Sequence, residues 1–354
     1  MSRVGGQLAT GLRRSPDRPH LFHIDASGVL RGASFDGYSW SPVPLPQPDG
    51  LPFGTEMHPP GALATGNQQR GRRLDVFAVD RDGMLRIYAA DGERGWETDV
   101  VPEGVGIPPG ASVVTAHARD ATLLDVFTVS RAGEPLMFQG SDDGRWHTVV
   151  LPSDSVLPHG ANLATGYQEQ RSLLSLFAID RVGRLRSVVE MPDRGWIAES
   201  LGTDLAEPPP LPPGAPLATG YAGGGDDLSV FAVGEDGMLH EFRRGQYGWR
   251  ARALPAGGLH APAALTTAYR DGGRRLLLFV VDFDGRLRQY AHEPDGTWSV
   301  GVVPNGVGLP PGAPLAAGYR DGGALLDLFV LARFSEPPLY FTAQSGGWTG
   351  PYPI

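Results

Sequence analysis

The chain has 354 residues and an ordinary apolar fraction of 41%, so it can bury a sizeable core. Its net charge of −9 and pI of about 5.5 speak against a nucleic-acid partner, whose phosphates require a basic face. The absence of cysteine excludes disulfides, thiolate metal sites and cysteine nucleophiles, and no run reaches the roughly eighteen apolar residues of a membrane span.

The chain opens on MSRVGGQLATG, which has no apolar signal core and reads as cytoplasmic, with leaderless release the other route. Leu8-Ala9-Thr10-Gly11 is the first of seven similar short runs. Downstream, a Phe and then a Trp recur about twenty residues apart: Phe22 and Trp40, Phe77 and Trp96, Phe127 and Trp146, Phe177 and Trp196, Phe231 and Trp249, Phe279 and Trp298, Phe329 and Trp348. All seven tryptophans belong to this pattern.

The second unit shows the grammar in full. Leu63-Ala64-Thr65-Gly66 is followed by Leu74-Asp75-Val76-Phe77-Ala78-Val79, the turn Asp80-Arg81-Asp82-Gly83, then Met84 to Tyr88, Gly95-Trp96, and a closing Ile107-Pro108-Pro109-Gly110. Four short apolar runs rich in Val, Phe, Tyr and Trp, parted by turn residues, predict four antiparallel strands. The hairpin glycine recurs at Gly28, Gly133, Gly183, Gly237 and Gly285; the seventh unit has Ser335 there, followed by Pro337-Pro338.

A four-stranded unit repeated every forty to fifty residues is the signature of a propeller blade. The expected fold is therefore all-β: one domain, a seven-bladed β-propeller of four-stranded antiparallel blades. The blades fall at about residues 1–60, 61–110, 111–160, 161–214, 215–261, 262–312 and 313–354. The chain starts on an inner strand and reaches Trp348 on an outer one, so blade 1 is expected to pack on blade 7 without exchanging a strand. The recurring Phe and Trp are expected between the sheets.

Leu74-Asp75-Val76-Phe77, the Asp82-Gly83 hairpin with Leu85, and Gly95-Trp96 resemble the blades of the Photorhabdus-type seven-bladed propeller lectins and, more loosely, tectonin-like lectins. The resemblance runs blade by blade through the whole chain. It implies binding of fucose and related sugars in shallow sites repeated around the ring, with no metal, cofactor or chemistry. Those lectins carry a His and paired aromatics on the third strand. Here that segment reads Arg86-Ile87-Tyr88, Arg186-Ser187-Val188 and Arg288-Gln289-Tyr290, and only blade 5 has a His, His240.

Two sets of residues are candidate binding groups. The position after the inner-strand Thr-Gly pair reads Leu12, Asn67, His117, Tyr167, Tyr221, Tyr269 and Tyr319, with Arg119, Arg270 and Arg320 just beyond. Inner strands line the axial funnel, so an asymmetric Tyr, His and Arg ring there suits one ligand, and also a wet funnel mouth. The second set is Arg31, Arg86, Arg186 and Arg288 on the third strands, which either grip sugar hydroxyls or pair with hairpin aspartates. Asp80 with Asp82 and Asp282 with Asp284 offer too few oxygens for calcium. Asp75, Asp125, Asp327, Ser175 and Ser229 recur as scaffold groups. No hydrolase, zinc-protease or P-loop motif is present.

The leading expectation is a non-enzymatic, metal-independent propeller of lectin type that binds carbohydrate or another small polar molecule. The alternatives are an enzyme or small-molecule-binding protein using an axial pocket, and a protein-interaction platform built on the proline-rich connections. An oligomer is compatible with all three.

Overall fold

The computed structural model describes residues 8–14, 17–25, 27–46, 63–68, 73–91, 95–102, 106–117, 124–140, 145–168, 172–201, 209–222, 227–245, 248–332, 336–345 and 347–354. These form seven four-stranded antiparallel sheets, each built from four consecutive strands, with no α-helix among the described residues. Blade 1 runs from the inner strand Leu8–Arg14 through Asp17–Ile24 and Leu30–Phe35 to the outer strand Trp40–Val43. Blade 7 runs likewise from Leu315–Arg320 to Gly347–Pro353.

Alternation along the second strand assigns each blade two apolar faces. Phe77 looks toward blade 3, whose Trp146 meets it edge-to-face at 5.9 Å, while Leu74 and Val76 look back toward blade 1. The same Phe–Trp contact joins every pair of neighbours, from Phe22–Trp96 at 5.3 Å to Phe279–Trp348 at 5.6 Å, and Phe329–Trp40 at 5.3 Å closes the ring. The tryptophans are therefore packing residues, held in the geometry aromatic quadrupoles favour.

Two glycine positions explain why the repeat is so strict. A Cβ on the inner-strand Gly11 would lie 2.7 Å from Leu74 of the next blade, and one on Gly66 would lie 2.5 Å from Leu124. The hairpin glycine has positive φ, as the turn requires, but it is also pressed by backbone: a Cβ on Gly83 would sit 2.2 Å from the Ile107 carbonyl oxygen, and one on Gly133 2.4 Å from that of Leu157. Ile107 and Leu157 belong to the linkers that lead into the next blade. Those linkers are buried core: Ile107 and Ala111, Leu157 and Ala161, Leu211 and Ala215, Leu259 and Ala263, and Leu309 and Ala313 all pack between sheets. Ser335, which takes the glycine position in blade 7, lies outside the described residues.

Blade 1 packs directly on blade 7, with no strand exchanged. That seam is thinner than the rest. Among the described residues its core has five buried side chains, Leu8, Leu21, Ala316, Phe329 and Leu331, where the others have ten to fifteen. Pro19 pairs with Leu12 in the register that gives every other blade a Leu, such as Leu74 opposite Asn67 or Leu326 opposite Tyr319. A cavity of about 210 Å³ lies there, between Pro19, Trp40, Gly318 and Phe329.

Candidate functional site

The inner strands bring the predicted funnel residues into register and use most of their polar atoms to tie blades together. Each inner Thr donates its hydroxyl to the carbonyl of the blade before it: Thr65 to Thr10, Thr115 to Thr65, Thr165 to Thr115, Thr219 to Thr165, Thr267 to Thr219, and Thr10 to Ala317 across the closing seam, at 2.6–3.1 Å. Ala317 breaks the chain of hydroxyls once. The tyrosines do the same one step further along. The Tyr167 hydroxyl accepts from the His117 N–H at 3.0 Å and donates to the His117 carbonyl at 2.7 Å. The Tyr221 hydroxyl accepts from Tyr167 N–H at 2.7 Å, the Tyr269 hydroxyl from Tyr221 N–H at 2.7 Å, and the Tyr319 hydroxyl from Tyr269 N–H. Burial pushes the phenols of Tyr167 and Tyr319 up, so both stay protonated. The His117 Nδ1 is buried with no hydrogen-bond partner among the described residues.

The three arginines of this set have different fates. Arg119 lies outside the described residues. Arg320 turns into the closing seam, where it donates to both oxygens of Asp327 and to Thr342 at 2.9 Å; its guanidinium carbon is 4.3 Å from the Phe35 ring centre. Arg270 stays at the rim, with one N–H on the Gln344 carbonyl at 3.1 Å.

Around Arg270 opens a cavity of about 720 Å³ between blades 6 and 7, which reaches outward from the funnel mouth. Tyr269 and Tyr319 form its inner wall, Leu326 and Ala343 its floor, and Asp271, Gln344 and Ser345 its polar edge. Asp271 is exposed and held at φ 56°, followed by Gly272 and Gly273, also at positive φ, so this turn carries a carboxylate on a glycine-shaped bend. Guanidinium, carboxylate, hydroxyl and amide thus border an aromatic wall. Asp271 follows Arg270 directly in the sequence, but Gln344 and Ser345 were missing from the sequence reading because the groove is made by two blades whose contributing segments lie some seventy residues apart.

The third-strand arginines are all anchored. Arg31 pairs with Asp25 at 2.8 Å, Arg86 with Asp80 at 2.7 Å, Arg186 with Asp180 at 2.7 Å and Arg288 with Asp282 at 2.6 Å. The other oxygen of each Asp accepts turn N–H groups, as Asp80 does from Asp82 and Met84. Blade 5 rebuilds this lock with different residues. Gly234 replaces the Asp, and Asp236 reaches into the vacated space to hold His240 at 3.1 Å. Burial works against the Asp236 charge, but the Met238 N–H and His240 outweigh it and hold its carboxyl below the usual range.

Exposure separates one member of this set. The Arg86, Arg186 and Arg288 side chains are 14–18% exposed, and Arg31 is 55% exposed. Arg31 lines a second large cavity, about 830 Å³, at the outer edge of the blade 7–blade 1 seam, with Trp40, Pro42, Glu336, Pro338 and Ile354. His23, also in its wall, is neutral, since burial and Arg31 outweigh Asp25 and bring its pKa to about 4.

Two tryptophans donate their indole N–H across a seam. Trp348 donates to Gln289 at 2.8 Å and Trp298 to Glu241 at 3.1 Å. Glu241 is fully buried and also accepts from Arg252 at 2.6 Å and Ser229 at 2.8 Å, so its charge is paired internally. Among the described residues no three His, Asp or Glu side chains converge as metal ligands.

The fold and these interblade sites define a class: seven-bladed propellers with grooves at their seams. Solved structures that resemble the chain are the BP39L lectin from Burkholderia pseudomallei, 24% identical over 99% of both chains with a TM-score of 0.88, and the six-bladed, fucose-recognising lectin of Aleuria aurantia, 15% identical over 81% of this chain and 92% of that one, TM-score 0.53. AofleA from Arthrobotrys oligospora is 12% identical over 83% and 86%, TM-score 0.59. No known protein family and no curated protein sequence matches the chain.

Proposed function

We propose that the protein is a non-enzymatic carbohydrate-binding propeller and that the cavity between blades 6 and 7 is its sugar site. The observation that carries this reading is the convergence of Arg270, Asp271 and Ser345 on a cavity walled by Tyr269 and Tyr319. A pyranose has an apolar face and a ring of hydroxyls. An aromatic wall covers the first, and paired charged donors and acceptors bind the second. The cavity is large enough for a mono- or disaccharide. The likeness to propellers described as lectins supports the same ligand class. A glycan array followed by calorimetry, with methyl α-L-fucoside as first probe, tests it. Arg270→Ala and Asp271→Ala should each weaken binding about 10- to 100-fold, as loss of a charged hydrogen bond does. Unchanged affinity in both variants would remove the sugar from this cavity.

A further inference from the structure

We infer that the cavity between blades 6 and 7 selects a carboxylated sugar, whose acid group is gripped by Arg270. This rests on the reading of that cavity as a sugar site and goes further by naming the class of sugar. The reason lies in two arginines that hold the same place in successive blades. Arg320 ends the inner strand of blade 7, Leu315–Arg320, and Arg270 ends that of blade 6, Thr266–Arg270. Each is followed by an aspartate at positive φ, Asp321 at 52° and Asp271 at 56°.

The two differ in what their blade offers them. Opposite Gly318, the second strand of blade 7 carries Asp327, and opposite Asp327 the third strand carries Thr342. Both are buried, and together they hold the Arg320 guanidinium inside the protein. The same positions in blade 6, opposite Ala268, are Leu277 and Ala291. These are also buried, and they pack in the apolar core between blades 6 and 7. Blade 6 thus gives its arginine neither a carboxylate nor a hydroxyl. Among the described residues Arg270 makes no ion pair, and one of its N–H groups rests on the Gln344 carbonyl at 3.1 Å. A guanidinium carries several N–H donors, so most of the fork is left for a ligand.

Arg270 is half-buried beside an apolar floor of Leu326 and Ala343, where a charge is screened less than in open water. A carboxylate matches the guanidinium fork in plane and spacing and accepts two parallel N–H bonds. Asp271 is exposed, so its opposing charge is weakened by solvent, and its oxygens are acceptors for sugar hydroxyls. Tyr269 and Tyr319 cover the apolar face of the sugar ring. A ligand that brings its own carboxylate supplies Arg270 with the partner that Asp327 gives Arg320.

The test compares matched methyl glycosides by calorimetry at about 50 mM salt, glucuronide against glucoside and galacturonide against galactoside. In at least one pair the acid should bind about tenfold or more tightly than its neutral twin, as a charge-assisted contact allows. Arg270→Gln, which keeps a polar side chain without the charge, should bring that ratio to about one, and about 500 mM salt should shrink it in the unaltered chain. Leu277→Asp with Ala291→Thr copies the blade 7 lock into blade 6 and should also erase the preference. A melting curve shows whether that double variant is folded; if it is not, Arg270→Gln decides. Neutral twins that bind as well as the acids overturn the inference and leave a neutral-sugar site standing. An acid preference that survives Arg270→Gln overturns it too, and so does a sulfated galactoside that matches the galacturonide, since charge alone would then be read. No binding by any of the four up to about 10 mM also overturns it, and the fucoside titration then decides separately whether the cavity holds sugar.

Discussion

The seam between blades 6 and 7 and the seam between blades 7 and 1 are built from the same repeat and end differently. At the first, the linker residues Leu309 and Ala313 complete a core of fifteen buried side chains, and Trp348 finds an acceptor in Gln289. At the second, no described segment of the chain runs between the sheets. Among the described residues five buried side chains remain, and the buried Trp40 Nε1 finds no hydrogen-bond partner there. A propeller blade is therefore completed as much by the peptide that leaves it as by its own strands. Cavities open at this seam, and the repeat drifts around it: Pro19 for Leu, Leu12 where four blades have Tyr, a proline pair after Ser335.

The largest expected effect contrasts the two kinds of seam directly. Trp298→Ala should cost ~4 kcal/mol in denaturant titration, through lost packing and the lost indole hydrogen bond to the buried Glu241. Trp40→Ala should cost about half as much, since its seam is thin and its indole N–H is unpaired. Equal losses would erase the distinction.

Acid should act through blade 1. Burial first, then Arg13 and Arg18, lower the His20 pKa to about 4, and His23 is lowered to about 4 as well. Unfolded histidines titrate near 6.5, so between about pH 4 and 6.5 the unfolded chain binds protons that the folded chain does not. Stability should be full above about 6.5, fall as the pH drops, and level off below about 4, by roughly 3 kcal/mol for His20 and less for the more exposed His23. His20→Gln should flatten the profile measured by chemical denaturation; an unaltered slope would count against it.

Pro19→Leu should stabilise the protein by about 1–2 kcal/mol, because it restores the side chain found in the other six blades beside a 210 Å³ cavity. A loss of stability would show that the closing seam has repacked around the proline. The smallest effect is expected from Tyr269→Phe, about 1 kcal/mol, for one interblade hydrogen bond. Its melting curve should shift slightly, and a shift as large as that of Trp298→Ala would mean the phenol ring holds the propeller together.

The repeat made the seven blades and the Phe–Trp packing legible, because both follow from side-chain type and spacing alone. The arginine locks were half-legible: Asp80 and Arg86, like Asp282 and Arg288, stand six residues apart, a spacing that a hairpin folds into contact. The tyrosine ring was visible as a pattern, but its hydroxyls bind backbone atoms about fifty residues away, and no residue type announces that partner. Arg320 could not be separated from Arg270 by sequence, since only the position of Asp327 turns it into the seam. The two cavities of the closing seam left traces in Pro19 and Pro337-Pro338, which in the sequence read only as irregularities of the repeat.

The exchanged lock of blade 5 restricts how that blade can change. Gly234→Asp alone would place a Cβ 2.4 Å from an Asp236 oxygen and crowd a second carboxylate into one space. Losing Asp236 alone would leave His240 without its anion and the Met238 N–H without its acceptor. Positions 234, 236 and 240 therefore form one mutational unit, and a consensus blade grafted here succeeds only if all three are replaced together.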